Sequence, residues 1–282
     1  MIAGFDKPAP ARPAPAAHPI EGFAAALPPI ALDDLVSEAH LMTRMDRKYM
    51  LPVSDALRTL ESVAPGARVL EIAGRRRLAY DSVYFDTAEH TAYRLTAQRR
   101  RRRFKVRTRC YADTETCFLE AKTKDGRGRT VKQRIPYAVA DAGALTPEGR
   151  AFVGHILTTN GHPAETVAGL TAGTTSRYRR TTLLLPDGSR ATIDTDLLWC
   201  DESGARARLE RHVIVESKSV GPRSELDSAL WRAGHRPTSI SKFGTGTAAL
   251  HPDLPRNKWA RTLLAPFIYE PDTRHTQQRT TR

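Results

Sequence analysis

The sequence lacks two features that would place it among secreted or membrane proteins. Its cysteines, Cys110, Cys117 and Cys200, are few, odd in number and without metal-binding spacing. Cys110 and Cys117 could face each other across a hairpin, but the pattern favours free thiols in a reducing compartment. No apolar run approaches the roughly 20 residues of a membrane helix, and no basic region followed by an apolar core opens the chain. We therefore expect a soluble cytoplasmic protein.

The common catalytic signatures are also absent. The chain contains no GxxxxGK[ST] phosphate loop, no HExxH pair and no GxSxG elbow. Aromatic residues make up only 7% of it, and none is interleaved along the run of arginines at residues 99–103. This shortage argues against nucleic acid as the partner, because single-stranded recognition depends on stacking. Nonspecific phosphate binding by these arginines stays open.

Acidic residues are scarce relative to basic ones. The 282 residues include 44 Lys and Arg but only 31 Asp and Glu, which gives a net charge of +13 and a pI near 10.0. This balance implies an anionic partner, which could be nucleic acid, a phosphorylated metabolite or a membrane surface. The hydrophobic content of 40% is enough for the core of one large domain.

The most informative stretch covers residues 104–122. In its first half Lys105, Arg107 and Arg109 alternate with the less polar Val106 and Thr108. A strand with this pattern has one cationic face and one mostly apolar face. An ordinary amphipathic strand turns its charged face to water. The same alternation recurs in later strands, however, and this repetition favours a shared, charged interior.

Turn signals separate the predicted strands, which are mostly joined as hairpins. The strongest signal is the PDGS turn at residues 186–189. About eight strands in this order predict an α+β fold: an antiparallel β-barrel tunnel with flanking and connecting helices. Residues 1–29 are rich in proline and alanine and predict a disordered tail, residues 30–265 predict the domain, and residues 266–282 predict a flexible C-terminal tail.

A tunnel lined by cations requires counter-charge, because dry unpaired ions are costly. Phosphate chains meet this need, since Arg binds phosphate oxygens through a planar fork and Lys acts as a point charge. Glu216 stands among cations on its strand, where it could hold Mg²⁺ or Mn²⁺ or form a salt bridge to Lys218. The same two alternatives apply to Glu120, Asp46 and Asp194.

Nine short segments follow one another in a specific order. They are RMDRKY (44–49), SVYFDT (82–87), KVRTRCY (105–111), FLEAKTK (118–124), VKQR (131–134), YRR (178–180), RATIDTD (190–196), VIVESK (213–218) and SKF (241–243). Together they resemble the VTC domain family, the polyphosphate polymerase domains related to triphosphate tunnel metalloenzymes and CYTH proteins. The CYTH hydrolases and cyclases begin with E-x-E-x-K, whereas Arg44 and Asp46 precede Lys48 here. This departure favours the VTC branch.

The resemblance implies a basic tunnel that binds triphosphate or polyphosphate and holds a divalent metal, Mn²⁺ or Mg²⁺. The implied phosphate-binding residues and additional lining are Lys48, Lys105, Arg107, Arg109, Lys122, Lys132, Arg134, Arg180, Arg190, Lys218 and Lys242. The implied catalytic residues are Arg180, Arg190, Lys242 and Glu216. Glu216 and Glu120 are the implied metal ligands.

The activity that the resemblance implies is that of a phosphotransferase, an ATP-dependent polyphosphate polymerase. It would transfer the terminal phosphoryl group of ATP to a growing polyphosphate chain. ATP, triphosphate and inorganic polyphosphate are then the expected partners. An inorganic triphosphatase or polyphosphate hydrolase is the enzymatic alternative, and a non-catalytic polyphosphate- or nucleic-acid-binding protein is the other.

Overall fold

The computed structural model describes residues 18–38, 45–124 and 129–270. Within them lie twelve strands of one sheet and eight α-helices. The strands are β1 (Pro29–Ile30), β2 (Met45–Pro52), β3 (Arg68–Leu70), β4 (Leu78–Asp86), β5 (Arg103–Tyr111), β6 (Thr116–Lys124), β7 (Thr130–Tyr137), β8 (Thr171–Leu184), β9 (Arg190–Cys200), β10 (Arg206–Leu209), β11 (His212–Ser219) and β12 (Phe267–Glu270). The helices are α1 (Pro19–Ala25), α2 (Leu32–Glu38), α3 (Val53–Ser62), α4 (Thr91–Ala97), α5 (Pro147–Thr159), α6 (Ala164–Ala168), α7 (Glu225–Arg232) and α8 (Lys242–Leu250).

Eight strands form one continuous antiparallel path in the order β2, β11, β9, β8, β4, β5, β6 and β7. In the described part of the chain β7 does not pair with β2, so hydrogen bonds leave this path open. Pro136 of β7 has no N–H to offer a further neighbour, which is typical of an edge strand. The predicted α+β fold with a tunnel-like antiparallel sheet is confirmed, but the barrel is not closed.

The apolar face of the sheet lies under helices. Tyr49 and Leu51 of β2 and Val213 and Val215 of β11 form one buried cluster, which includes Leu60 of α3. Burying these side chains stabilises the fold by about 1.5–3 kcal/mol for each large residue. Because alternate residues of a strand point to opposite faces, the charged residues between them are directed to the other side of the sheet.

A second cluster covers the other half of the sheet. Phe104 and Val106 of β5 and Leu119 of β6 pack with Tyr93 of α4 and Leu157 of α5. These side chains are at most 1% exposed. The charged face of β5 and β6 therefore lies on the concave side of the sheet, away from the helices that bury its apolar face.

Both predicted tails need correction. The prediction of disorder through residue 29 is wrong for residues 18–29, because α1 buries Ile20 and Ala24 in the core. Ile20 and Ala24 are four residues apart and therefore lie on one face of the helix. At the other end β12 pairs with β10, so the flexible tail predicted from residue 266 is wrong for residues 267–270. Residues 1–17 and 271–282 lie outside the described part of the chain.

The cysteines also differ from the prediction. Cys110 of β5 and Cys117 of β6 are joined by a disulfide, and Cys200 is a free thiol. The hairpin register places Cys110 and Cys117 directly opposite each other, and composition does not reveal a register.

No helix of the described ranges has the length and apolar character that crossing a membrane requires.

Candidate functional site

The strand register brings many of the predicted residues to one face of the sheet. In the β5–β6 hairpin Lys105 lies opposite Lys122, and Arg107 lies opposite Glu120. Glu120 in turn lies opposite Arg134 of β7. Directly paired residues of neighbouring strands point to the same side of a sheet. One half of the concave face is therefore lined mainly by cations.

The other half of the concave face follows the same rule. Glu216 of β11 lies between Lys48 of β2 and Thr192 of β9. Arg180 of β8 lies opposite Asp194 of β9. Lys122 lies on β6, near the far end of the open path. Its own burial lowers its pKa, and the positive charge of Lys48 on β2 lowers this pKa further. The two halves therefore face each other across one charged space.

Glu120 is shared by two cations. Its Oε2 accepts hydrogen bonds from Nε and Nη2 of Arg107 at 2.8 and 2.6 Å, and its Oε1 lies 2.6 Å from Nζ of Lys132. Its side chain is only 3% exposed. Burial alone would raise its pKa, but Arg107, Arg109 and Lys132 hold the pKa of Glu120 at about 2. The carboxylate is therefore ionised and neutralises only one of its two partners.

Glu216 repeats this arrangement. Its Oε1 accepts a hydrogen bond from Nζ of Lys48 at 2.7 Å and a second one from Nζ of Lys218. Nζ of Lys218 also lies 3.3 Å from a carboxylate oxygen of Asp46. Burial opposes ionisation of Glu216, but Lys48, Lys218 and Arg180 keep its pKa well below the ordinary range. This glutamate is therefore negatively charged at neutral pH.

Asp194 forms the third cluster. Arg180 donates to its two carboxylate oxygens from Nε and Nη2 at 2.6 and 2.9 Å, and Nζ of Lys242 donates to it as well. The Asp194 side chain is 1% exposed. Burial would raise its pKa, but the two cations lower it. Burial in turn lowers the pKa of Lys242 to about 8 although Asp194 opposes the shift.

Helix α8 carries Lys242 into the site because two glycines let the helix approach large side chains. A Cβ at Gly244 would overlap the ring of Trp259, and a Cβ at Gly246 would overlap Trp199. Nε1 of Trp199 donates to the backbone oxygen of Lys242 at 2.8 Å. The absence of side chains at Gly244 and Gly246 therefore allows the close packing that holds the first turn of α8 in place.

Four predicted cations form no ion pair with a described carboxylate: Lys105, Lys122, Arg109 and Arg134. Nζ of Lys105 donates to Oγ of Ser241 at 3.3 Å. Burial and the charges of Lys122, Lys258 and other cations lower the pKa of Lys105 to about 7. Nε of Arg109 is buried without a hydrogen-bond partner. These groups have unused capacity to bind an anion.

Two predicted residues occupy the margins of the site. Arg134 lies on the exposed edge strand β7, with its guanidinium 4.4 Å from the centroid of Phe118. Arg190 is half-buried at the start of β9, opposite Lys218. Both residues lie on strands of the concave sheet.

A family model for the VTC domain matches residues 43–251. This range is well over half of the 282-residue chain. The chain belongs to the VTC domain family. No curated protein matches it.

Solved structures similar to this VTC domain include three that share little sequence with it. HpAC1 from Hippeastrum, described as a candidate adenylyl cyclase with dominant triphosphatase activity, has 15% identity and a TM-score of 0.49 over 76% of this chain and 99% of its own. A candidate adenylate cyclase from Vibrio parahaemolyticus has 13% identity and a TM-score of 0.35 over 68% and 83%. The PH1012 protein from Pyrococcus horikoshii has 13% identity and a TM-score of 0.33 over 68% and 88%. Similarity at this level does not identify the activity of the VTC domain.

The two predicted metal ligands lie in separate clusters. Glu120 contacts Arg107 and Lys132, whereas Glu216 contacts Lys48 and Lys218. The described ranges contain no group of three or more His, Cys, Asp or Glu side chains arranged to hold a metal ion. Mg²⁺ often binds through one or two carboxylates together with substrate phosphates and water. The residues of the VTC domain fit this kind of site and do not form an all-protein cage.

Sequence reasoning did not select the tyrosines of the site. The rings of Tyr80 and Tyr178 stack with centroids 5.1 Å apart, and the guanidinium of Arg180 lies 5.2 and 5.4 Å from them. Nζ of Lys242 lies 4.0 Å from the centroid of Tyr178. Such cation–π contacts position the cations without neutralising them. The alternation of Tyr80, Ser82 and Tyr84 along β4 was the signal that could have found the tyrosines of that strand.

Proposed function

We propose that this VTC domain is a metal-dependent polyphosphate polymerase that transfers the terminal phosphoryl group of ATP to a polyphosphate chain. One observation carries the proposal. Glu120, Glu216 and Asp194 are each shared by two cations, and Lys105 and Arg109 add positive charge without a carboxylate partner. The concave face therefore has an excess of positive charge from many separate strands.

A linked chain of phosphates is the anion that matches this excess. Lys105 and Arg109 are partly removed from water and lack a carboxylate partner, so an anion that enters the site relieves an unfavourable concentration of positive charge. Arg109 can offer a planar fork to phosphate oxygens, and Lys105 and Lys122 can act as point charges. Each charge-assisted hydrogen bond contributes roughly 1.5–3 kcal/mol. Several of them in series bind a polyphosphate without contact to any base.

The proposed reaction moves one phosphoryl group between two oxygens. The bond between the γ-phosphorus of ATP and the β–γ bridging oxygen breaks, ADP leaves with that oxygen, and a terminal oxygen of the polyphosphate forms the new bond. Charge spreads over the phosphoryl oxygens as it moves, and fixed cations stabilise it. We assign this role to Arg180, Arg190 and Lys242, of which Arg180 and Lys242 are oriented by Asp194.

The proposed reaction also uses a divalent metal ion. Glu216 is the ligand that we propose for Mn²⁺ or Mg²⁺, with phosphate and water oxygens completing the coordination, and Glu120 is the second predicted ligand. A divalent ion there would neutralise phosphate oxygens during transfer. The contacts of Glu120 with Arg107 and Lys132 also give it a second task, which is to hold these two cations toward the bound chain.

The test is a chain-length assay on the purified protein with ATP and Mn²⁺ or Mg²⁺. The wild type should form polyphosphate and release ADP, and Glu216→Gln should lose turnover. Glu210→Gln is the matched control, because Glu210 forms an exposed ion pair with Arg208 and should keep full activity. Failure of the wild type to form either product would refute catalysis with ATP. Orthophosphate release without chain growth would instead identify a hydrolase, and tight triphosphate binding without turnover would identify a binding protein.

A further inference from the structure

A cleft of about 200 Å³ opens beside the cationic half of the site. It is lined by Lys105 and Lys122 of the site and by three basic residues that the proposed function does not use. These three, Arg103, Lys124 and Lys258, are here named the outer basic cleft. The run of arginines at residues 99–103 leads directly into it.

The outer basic cleft continues the lining of the site along the same strands. Arg103 lies opposite Lys124 in the β5–β6 ladder, and the next pair on that face is Lys105 with Lys122. Residues two apart on a strand point to the same side and lie about 7 Å apart. The cations therefore form a row that leaves the site without changing face.

Lys258 is held against this row by its own contacts. Its Nζ donates to the backbone oxygen of Thr96 at 2.8 Å and lies 5.2 Å from the ring centroid of Trp259. Burial and the charges of Arg103, Arg99 and Lys124 lower the pKa of Lys258 to about 8. A half-buried lysine crowded by other cations is unlike a lysine on a solvated surface.

The composition of the cleft indicates which anion it accepts. None of the described residues that line it is acidic, so the row is not neutralised by its own walls. Among the lining residues that the structure describes, the one aromatic side chain is Phe104, which is 1% exposed and cannot stack with a base. A chain of phosphates without bases fits these walls better than a nucleic acid does.

We propose that the outer basic cleft binds the phosphates of a polyphosphate chain that extends beyond the site, so that affinity increases with chain length. This inference rests on the proposed function, because the cleft continues the row of cations that lines the proposed polyphosphate site. The charge of Arg99 also acts on Lys258, so this arginine extends the positive field of the cleft. We expect a triphosphate, which is shorter, to contact the site without contacting Lys124 and Lys258.

The test compares tripolyphosphate with long-chain polyphosphate as ligands of the full chain. Lys124→Gln/Lys258→Gln should weaken long-chain binding about tenfold, since each partly exposed charge contributes roughly threefold. Tripolyphosphate binding should change by less than about twofold. The salt dependence of long-chain binding should also weaken by about 1.4 in its logarithmic slope, since two phosphate contacts are lost at about 0.7 each. Arg177→Gln/Arg232→Gln removes the same charge from exposed positions elsewhere and should change neither affinity.

The outcomes separate the cleft from the proposed function. Unchanged long-chain affinity in the Lys124 and Lys258 variant, or equal weakening of both ligands, would overturn the cleft. Long-chain binding without tripolyphosphate binding would count against the proposed site, yet a loss in the variant would still support the cleft. A wild type that binds neither ligand would overturn both. A single-stranded oligonucleotide that binds as tightly and loses as much in the variant would assign the cleft to nucleic acid.

Discussion

The substitution Asp194→Asn tests whether the cations of the site form a buried, counter-charged cluster. Asp194 accepts hydrogen bonds from Arg180 and Lys242 while its side chain is 1% exposed. Asparagine keeps the size of the side chain and removes its charge. The variant therefore leaves two buried cations without the carboxylate that neutralises them.

We expect Asp194→Asn to lose a large part of the free energy of unfolding. Removing one partner of a buried ion pair destabilises a protein by about 3–5 kcal/mol. A domain of this size changes its Tm by about 2–4 °C for each kcal/mol, so Tm should fall by about 6–20 °C. The control is Asp81→Asn, because Asp81 is half-exposed and its carboxylate lies 3.4 Å from Nε of the exposed Arg177. That pair should contribute less than about 1 kcal/mol.

The difference in unfolding free energy between wild type and Asp194→Asn should depend on pH. Arg180 and Lys242 lower the pKa of Asp194 below its ordinary value of 3.8 despite burial. A carboxyl whose pKa is lowered on folding stabilises the protein fully above the unfolded value and loses this contribution as pH falls through the folded value. The gap in unfolding free energy between wild type and Asp194→Asn should therefore shrink below about pH 3.8. It should also shrink toward pH 8, because Lys242, whose pKa beside Asp194 is about 8, gives up its proton more readily in the variant.

Differential scanning calorimetry with chemical denaturation measures both effects. If Asp194→Asn costs no more than Asp81→Asn, or if the gap does not shrink below about pH 3.8, the description of a buried ion cluster is wrong. Triphosphate should stabilise the variant at least as much as the wild type, because the released cations retain their need for an anion. At a ligand concentration a hundredfold above Kd, this stabilisation is about 2.7 kcal/mol.

Three further predictions test packing, protonation and covalent structure. Gly246→Ala should destabilise the fold by about 1–3 kcal/mol in denaturant unfolding, because its Cβ would overlap Trp199. Gly154→Ala, where the new Cβ would meet Val167 at an ordinary 3.6 Å, should instead be neutral or stabilising, and equal effects would contradict this assignment. Burial and neighbouring cations lower the pKa of Lys105 to about 7, so triphosphate binding near pH 8 should take up protons in calorimetry with two buffers. Lys105→Arg should reduce this uptake, and an unchanged uptake would exclude that lysine as its source. Thiol titration of the unfolded, unreduced protein should find one thiol and the reduced protein three, whereas three thiols before reduction would exclude the disulfide between β5 and β6.

Much of the fold and of the site could be predicted from the sequence, because the side-chain period of a strand is local. The alternation of Lys105, Arg107 and Arg109 with apolar residues assigns them to one face whatever their partners are. Turn residues indicated the hairpins, and the shared alternation indicated a charged interior. The order of these motifs also indicated the VTC domain family, to which the chain belongs.

The tertiary structure decided which groups meet, because a periodic pattern specifies a face and not a neighbour. Lys242 reaches Asp194 from a helix 48 residues away, and its approach depends on the contact of Gly246 with Trp199. Lys258 joins the outer basic cleft from a segment that has no strand pattern at all. The pairing of Cys110 with Cys117 likewise depends on register. Composition and local periodicity determined the charged face, whereas long-range packing determined its ion clusters and its outer cleft.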